Sequence, residues 1–184
     1  MNVYEACPVL HSEHFTLRLP ERADAPALLK VYSDGKSVPM FNSDNCHGDN
    51  FHYTTLERML QAVDFWLDSY AHGYFVRWTI LHGQEPIGTV ELFHREAADA
   101  FNHHGLLRLD LRSDWETVLA LVELLALLHR HAYDLFGCEI LATKAPGHAA
   151  ARQQALREQG YIPSASLLKG WDGTEYGDYW VRAK

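Results

Sequence analysis

The chain has 184 residues, of which 47% are hydrophobic and 22% are charged, so its size and composition are those of one ordinary globular domain. The formal net charge of -8 argues against general binding to DNA or RNA, which would need a local basic patch to overcome the overall field. No stretch approaches the roughly 18 apolar residues of a membrane span, and the N-terminus lacks the pattern of an export signal. We therefore expect a single domain over residues 1–184, with no nucleic acid and no membrane among its partners.

The cysteines and histidines do not predict a metal site. The three cysteines are too few and too scattered for a disulfide scaffold or a CxxC zinc motif, and their odd number indicates reduced thiols in a cytoplasmic protein. Cys46, His47, Asp49 and His52 form one compact cluster of ligand types, but their spacing fits no zinc motif. We therefore expect no bound metal.

The N-terminal part of the chain predicts a strand, two helices and an irregular segment. Residues 15–19 alternate apolar and polar side chains as a strand does, and Asp24 is placed to cap a helix over residues 25–32. Residues 33–53 are rich in Asn, Asp and Gly, which indicates irregular structure. A capping box of Thr54 and Glu57 then begins an amphipathic helix that extends to Tyr70.

The middle of the chain predicts a β-hairpin and a further strand. Residues 74–81 and 87–93 are rich in aromatic and β-branched side chains, and the polar stretch between them is typical of a hairpin connection. In residues 107–111 leucines alternate with Arg108 and Asp110, so this strand should have one apolar face and one polar face.

The C-terminal part predicts the longest helix and then shorter elements. The box formed by Ser113 and Glu116 begins a helix over residues 114–136, which Gly137 ends. The remaining predicted elements are a strand over 138–143, a helix over 148–159, and strands over 161–168 and 176–181. Because strands and helices alternate here, we expect a mixed α/β fold with a crossover helix between two buried strands.

Four segments carry a family resemblance that covers nearly the whole chain: HFTLRLP at 14–20, PIGTVEL at 86–92, HAYDLFG at 131–137 and ALREQGY at 155–161. In order and spacing they resemble the GNAT superfamily of N-acetyltransferases, and within it the branch that acetylates the N-terminal residue of ribosomal proteins. The resemblance implies an α/β (mixed α+β) fold with a central mixed, splayed sheet flanked by helices. It also implies transfer of an acetyl group from acetyl-CoA, the cosubstrate, to a primary amine by direct attack.

The resemblance further implies where acetyl-CoA binds. In the family the fourth and fifth strands splay apart to admit it, and the segment 86–92 is similar to that fourth strand. The pyrophosphate would lie where the fifth strand enters the long helix, at residues 113–120, because the first N–H groups of a helix are unpaired. The expected cofactor-binding residues are Leu109, Leu111, Arg112, Ser113, Trp115, Glu116, Thr117 and Val118. Family members often pair through their last strands, which implies a homodimer.

The chain departs from the family pattern at the positions that carry its chemistry. Asp114, Thr117 and Leu119 stand where the family has Gln or Arg and two small residues. Ala149 and Leu156 stand where it has an Asn and often a Tyr acid. These departures favour an alternative, a non-catalytic GNAT-fold binding or regulatory module that has lost the usual acyl-CoA site.

If the chain is an enzyme, Glu91 is the first candidate for its catalytic residue. Acetyl transfer needs a neutral amine, and Glu91 shares a strand face with Thr89 and Phe93, from which it would act as a base or bind a substrate ammonium. A solvated strand carboxylate is the alternative, and His94 is the second candidate base. The acceptor would be a small-molecule amine or a peptide, and the negative net charge would suit a cationic one.

Overall fold

The computed structural model describes residues 2–184 as one large sheet with helices on both faces, and a separate two-stranded hairpin. The strands are β1 (Leu10–His11), β2 (Phe15–Arg18), β3 (Val76–His82), β4 (Glu85–His94), β5 (Gly105–Leu111), β6 (Ile140–Lys144), β7 (Ile162–Pro163), β8 (Leu168–Lys169), β9 (Glu175–Tyr176) and β10 (Tyr179–Ala183). The helices are α1 (Ala25–Tyr32), α2 (Leu56–Ala71), α3 (Val118–His129), α4 (Ala132–Phe136) and α5 (Ala150–Glu158). Within residues 2–184 no helix has the length and apolar character to cross a membrane.

The sheet has the strand order β1-β2-β3-β4-β5-β6-β10-β7, and β8 pairs with β9 outside it. Strands β5 and β6 are parallel, because α3 and α4 carry the chain across between them, and the other pairs are antiparallel. Strands β3 and β4 form the expected hairpin around a turn in which Gly83 has a φ of 59°. The mixed α/β fold is therefore confirmed.

The sheet opens between β5 and β6. These strands pair only where residues 105–107 face residues 141–143, and β5 continues to Leu111 without β6 beside it. The splay expected between the segment 86–92 and the next strand is wrong, since residues 88–94 of β4 pair without interruption with residues 105–111 of β5. The opening lies one strand further along the sheet, where the crossover through α3 separates β5 from β6.

The two faces of the sheet differ in chemistry. One face contributes Leu17, Trp78, Val90 and Leu109 to an apolar core that also includes residues of α3, α4 and α5. The opposite face is covered by α1 and α2, whose own apolar side chains form a second cluster with aromatic residues of the segment 33–53. Residues 33–53 are largely irregular, as expected, with one short 3₁₀ turn at Val38–Met40.

Two helix caps differ from the predicted ones. Helix α2 is capped by Thr55, whose hydroxyl accepts a hydrogen bond from the N–H of Arg58 at 3.2 Å, and not by Thr54. Helix α1 has the predicted bounds, but the Asp24 side chain makes no cap bond. Its carboxylate accepts hydrogen bonds from Arg18 and Thr79, which ties the start of α1 to the sheet.

The predicted helix over 114–136 is two helices with a later start. Ser113–Trp115 forms a 3₁₀ turn, and α3 begins at Val118 with the Thr117 hydroxyl accepting from the N–H of Ala120 at 3.3 Å. The box of Ser113 and Glu116 does not form, because the Glu116 carboxylate is held by Arg152. Gly137 ends α4 as expected, with a φ of 57°.

The predicted strands at the C-terminus are shorter than expected. The segment 161–168 is interrupted, so that β7 lies at the edge of the main sheet and β8 belongs to the separate hairpin. An edge position suits Pro163, which has no N–H to donate to a neighbouring strand. Strand β10 fills the space between β6 and β7.

Candidate active site

Two rows of polar side chains cross the face of the sheet that α1 and α2 cover. The register places Arg77 of β3 opposite Glu91 of β4, and Glu91 opposite Arg108 of β5. Two residues away on each of these strands, and therefore on the same face of the sheet, Thr79, Thr89 and Asp110 form a second row. All six side chains are buried. The strand over 107–111 was expected to have one polar face, and that face lies inside the protein.

The first row is a buried triad of charges. Nη2 of Arg77 donates to Oε2 of Glu91 at 2.5 Å, and Nη1 of Arg108 donates to Oε1 of the same carboxylate at 2.5 Å. Burial alone would raise the pKa of Glu91, but the guanidinium groups of Arg77 and Arg108 hold this pKa below its usual value. Glu91 is therefore an anion clamped between two cations.

The second row is joined to the first by Arg77. Nη1 of Arg77 donates to Oδ2 of Asp110 at 3.0 Å, and the Tyr32 hydroxyl from α1 donates to the same oxygen at 2.8 Å. Burial raises the pKa of Asp110 despite the attraction of Arg77. Because burial outweighs that attraction at Asp110, Glu91 is the carboxylate of this face that more firmly keeps its negative charge.

A cavity of about 440 Å³ lies over the first row. Its floor includes Arg77, Glu91 and Arg108. Its aromatic wall consists of Phe51, Tyr53, Phe65, Trp66 and Phe75. Asn45, Cys46, His47, Asp49 and Arg58 complete the polar part of the lining. The site is thus built from α2, the central strands and the irregular segment before α2.

The rim of the cavity has its own ion pair. Asp49 accepts hydrogen bonds from Arg58 at 2.7 Å and from the Tyr53 hydroxyl at 3.0 Å, and Arg58 also stacks on the Tyr53 ring. Cys46 is half-buried beside this rim, and burial raises the pKa of its thiol. The protonated thiol is a poor nucleophile, so the cavity is not arranged for thiolate chemistry.

The irregular segment before α2 also spans the opening between β5 and β6. Its Asp44 binds Lys144 of β6 at 2.7 and 2.8 Å, while the backbone carbonyl of Asp44 accepts from Arg108 of β5 at 2.9 Å. The same carboxylate accepts from the Tyr179 hydroxyl of β10 at 3.1 Å. Arg108 is the first residue of β5 beyond its pairing with β6, so the cavity begins where the sheet opens.

The two predicted catalytic residues lie on opposite faces of the sheet. Glu91 lies in the floor of the cavity, but both of its oxygens are bound by arginines and its pKa is low, which weighs against a role as a base. His94 is outside the cavity, where Nδ1 lies 2.9 Å from the carbonyl of Phe136 and Nε2 lies 3.1 Å from a ring nitrogen of His103. The structure does not bring Glu91 and His94 together.

The predicted cofactor residues occupy several environments. Leu109 and Leu111 are buried in the apolar core, so only their backbone faces the region where the sheet opens. Trp115 packs its indole against the rings of Phe15 and His82, and its buried Nε1 has no acceptor within residues 2–184. Val118 is the first residue of α3.

The loop that would hold a pyrophosphate has already used most of its backbone donors. The N–H of Ser113 donates to Asp34 at 3.0 Å, and those of Trp115, Glu116 and Thr117 donate to carbonyls of the same loop. The Thr117 side chain takes a further helix N–H by capping. These donors are therefore not free for a phosphate at this place.

The charged side chains of the loop are also paired within the protein. Arg112 binds Asp114 at 2.7 and 2.9 Å and Glu85 at 2.6 Å. Glu116 binds the buried Arg152 through two bonds of 2.7 and 2.8 Å. A pyrophosphate at this loop would therefore have to displace bonds that the chain already makes, while the edge of β5 beyond its pairing with β6 is left open.

Several residues of the site were missed from the sequence, above all Arg77, Arg108 and Trp66. Arg77 and Thr79 alternate with apolar residues in β3 just as Arg108 and Asp110 do in β5. Charges that alternate within otherwise apolar strands were a signal for a buried polar face. The burial of that face, and the cavity above it, depend on α1 and α2. Within residues 2–184 no group of three or more His, Cys, Asp or Glu is placed to hold a metal.

The chain matches no protein-family model and no curated protein sequence. It is similar in structure to RimL, a ribosomal L7/L12 α-N-protein acetyltransferase solved with coenzyme A, with a TM-score of 0.70 and 16% identity over 96% of this chain and 98% of that one. A GNAT-family acetyltransferase from Bacillus anthracis gives a TM-score of 0.69 at 10% identity over 96% and 98% of the two chains. The Mycobacterium smegmatis RimJ, solved with a CoA disulfide, gives 0.67 at 14% identity over 91% of this chain and 79% of that one.

The chain has the GNAT fold. Its structural neighbours are acetyltransferases and include ribosomal-protein N-terminal acetyltransferases, the branch that the sequence was expected to resemble, and the expected fold is confirmed. At identities below 25%, this likeness establishes the fold and leaves the activity to the residues of the site.

Proposed function

We propose that the protein is an acetyltransferase that moves an acetyl group from acetyl-CoA to a primary amine bound in the cavity. The observation that carries this proposal is the position of Arg108, which lines the cavity and is also the first residue of β5 that β6 no longer covers. An acceptor over Arg77, Glu91 and Arg108 would thus lie next to the place where the sheet opens. The GNAT fold of the chain adds support.

In this proposal the chain binds and orients the acceptor. Arg77 and Arg108 are fixed by Glu91, so the floor of the cavity keeps its shape without a ligand. The aromatic wall excludes water from one side of the bound amine. The role of Glu91 as a base stays a prediction, while its ion pairs favour a positioning role.

The second candidate is a GNAT-fold module that binds a ligand in the cavity without turnover. This candidate is favoured by the loop over 113–117, where most backbone N–H groups already donate hydrogen bonds within the protein. A cofactor would have to displace these bonds. The two candidates share the cavity and differ only in whether acetyl-CoA binds and reacts.

Titration of the purified protein with acetyl-CoA and with CoA, followed by calorimetry and by thermal shift, tests the proposal. We expect saturable binding and, with an amine present, release of the CoA thiol that depends on the enzyme. A folded protein that binds neither compound at millimolar concentration would contradict the acetyltransferase and leave the binding module.

Asp114→Ala tests the loop directly. The change frees Arg112 from one of its two carboxylate partners, so we expect acetyl-CoA affinity to rise several-fold if the phosphates lie here. Asp134→Ala is the matched control, since Asp134 is an exposed carboxylate paired with Lys184 away from the loop. Equal affinities of both variants would place the phosphates elsewhere or exclude acetyl-CoA.

A further inference from the structure

The cavity has an excess of cationic groups in its lining. Arg58, Arg77 and Arg108 face two carboxylates, Asp49 and Glu91. The Arg77 side chain is 1% exposed and that of Arg108 is 10% exposed, so both guanidinium groups are almost fully removed from water. Asp110 also pairs with Arg77 outside the lining, but burial raises the pKa of Asp110, so the floor of the cavity still favours a ligand that brings negative charge.

Both floor arginines keep a donor without an acceptor. The Nε–H groups of Arg77 and Arg108 are buried and have no hydrogen-bond partner within residues 2–184. The guanidinium of Arg77 lies 4.5 Å from the centre of the Trp66 ring and 5.6 Å from that of Phe51, two rings of the cavity wall. A buried donor without a partner is costly, so a small shift of the guanidinium groups that let an anionic oxygen reach one of these donors would relieve the cost.

The carboxylates of the cavity are already engaged by donors of the chain. Each oxygen of Glu91 is taken by an arginine. One oxygen of Asp49 accepts the N–H of Phe51, and the other accepts from Tyr53 and Arg58. A polyamine or an aminoglycoside would therefore have to share carboxylates that arginines already hold, whereas a carboxylate ligand would be attracted by the two floor arginines.

We propose that the acceptor is a carboxylate-bearing amine, namely a free α-amino acid with an aromatic or apolar side chain, whose carboxylate is bound by Arg108 and Arg77. The aromatic wall provides the surface for the apolar side chain, and the volume of about 440 Å³ suits a small molecule. This assignment rests on the proposed acetyl transfer only for the use of the amine. The carboxylate site itself follows from the arginines.

Binding to the wild-type protein tests the assignment without acetyl-CoA. Calorimetry would compare phenylalanine, phenylalaninamide, which lacks the carboxylate, and spermidine, which is a polyamine. We expect phenylalanine to bind about 10- to 100-fold more tightly than the amide, as charge-assisted bonds to a guanidinium predict. Equal binding of acid and amide, or tighter binding of spermidine, would overturn the proposal.

Arg108→Lys tests the residue. Lysine keeps the positive charge beside Glu91 but removes Nε and the planar fork, so we expect at least a 10-fold loss of phenylalanine affinity. Arg95→Lys is the matched control, because Arg95 is also buried, pairs with Asp99 at 2.5 Å and has an unpartnered Nε, but lies outside this cavity. Equal losses in both folded variants would contradict the assignment.

The same ligands separate this inference from the proposed function. Selective binding of phenylalanine without release of CoA would support the carboxylate site and contradict acetyl transfer. Acetylation of phenylalanine and phenylalaninamide with the same kcat/KM would support acetyl transfer and contradict the carboxylate site. If Arg108→Lys does not fold, the comparison of acid and amide on the wild-type protein still decides.

Discussion

The two faces of the central sheet are buried by different means. The face toward α3 is apolar, and leucines from β5 and α3 pack there as in an ordinary core. The face toward α1 and α2 carries Arg77, Glu91 and Arg108 in one row and Asp110 in the next. Burying charges is expensive even when they are paired, and apolar side chains of the same size stabilise a fold as well or better.

This difference indicates that the apolar face maintains the fold and the charged face serves binding. The cavity lies over the charged row, and it is lined by Arg77 and Arg108, whose buried Nε–H groups have no partner within residues 2–184. A chain that needed stability alone would gain nothing from this arrangement. Substitutions on the charged face and on the apolar face should therefore affect ligand binding and stability differently.

Glu91→Gln should have the largest effect on stability. The change leaves the Arg77 and Arg108 charges buried without their shared anion, and loss of one partner of a buried ion pair costs ~3–5 kcal/mol. Urea unfolding measures the loss. Glu85→Gln is the control, since Glu85 pairs with Arg112 at the surface and its loss should cost roughly 0–1 kcal/mol.

A triple variant sharpens the same test. Arg77→Met, Glu91→Leu and Arg108→Met together remove the charges of the first row and keep its volume, but they also leave the buried Asp110 without Arg77, so we expect a smaller loss of stability than in Glu91→Gln. Binding in the cavity should be lost at the same time. A triple variant that still binds phenylalanine would contradict the division between the two faces.

Leu124→Ala probes the apolar face. Leu124 is fully buried under the sheet, and its truncation should cost ~2–5 kcal/mol through lost burial and the cavity left behind. The remaining folded protein should bind ligand with unchanged affinity, as measured by calorimetry below the unfolding transition. A loss of affinity in the folded variant would mean that the two faces are coupled.

A pH titration tests the apolar side in a second way. His129 at the end of α3 is half-buried beside Tyr161, and burial together with Arg182 lowers its pKa to about 4. The unfolded chain takes up this proton near pH 6.5 and the folded protein does not. Stability should therefore fall as pH drops from about 6.5 to about 4, by on the order of 1–2 kcal/mol after solvent screening.

Urea unfolding at several pH values measures this slope, and His129→Gln should remove it. His14→Gln is the contrasting variant, since Glu123 raises the pKa of His14 and its contribution is lost as pH rises instead. An unchanged slope in His129→Gln would show that another group carries the acid sensitivity.

The fold was largely predictable from local signals. Periodicity and glycine stops located α1, α2, the hairpin and α5, because these signals act within a few residues. The place where the sheet opens was predicted one strand too early, because sequence similarity identified the strand at 86–92 but not its pairing with β5. Strand pairing is non-local, so local patterns do not determine it.

The site was predictable only in part for a related reason. Glu91 was singled out by its strand face, yet its properties depend on Arg77 and Arg108, which register brings from other strands. His94 alternates onto the opposite side and takes no part. A candidate residue could therefore be named from its own strand, while its partners and its pKa required the assembled sheet.

Substitutions at the start of α3 should change the free energy of unfolding least. They distinguish a helix capped by Thr117 from one that begins with the box of Ser113 and Glu116. The capping box of Ser113 and Glu116 was the prediction from sequence, whereas the structure has Thr117 as the cap. Thr117→Ala should cost ~1 kcal/mol, the usual value of such a cap, and Ser113→Ala should change the unfolding free energy by less than that. Urea unfolding of both variants checks the order. If Ser113→Ala costs more, the helix begins one turn earlier, and its first N–H groups lie where a pyrophosphate would need them.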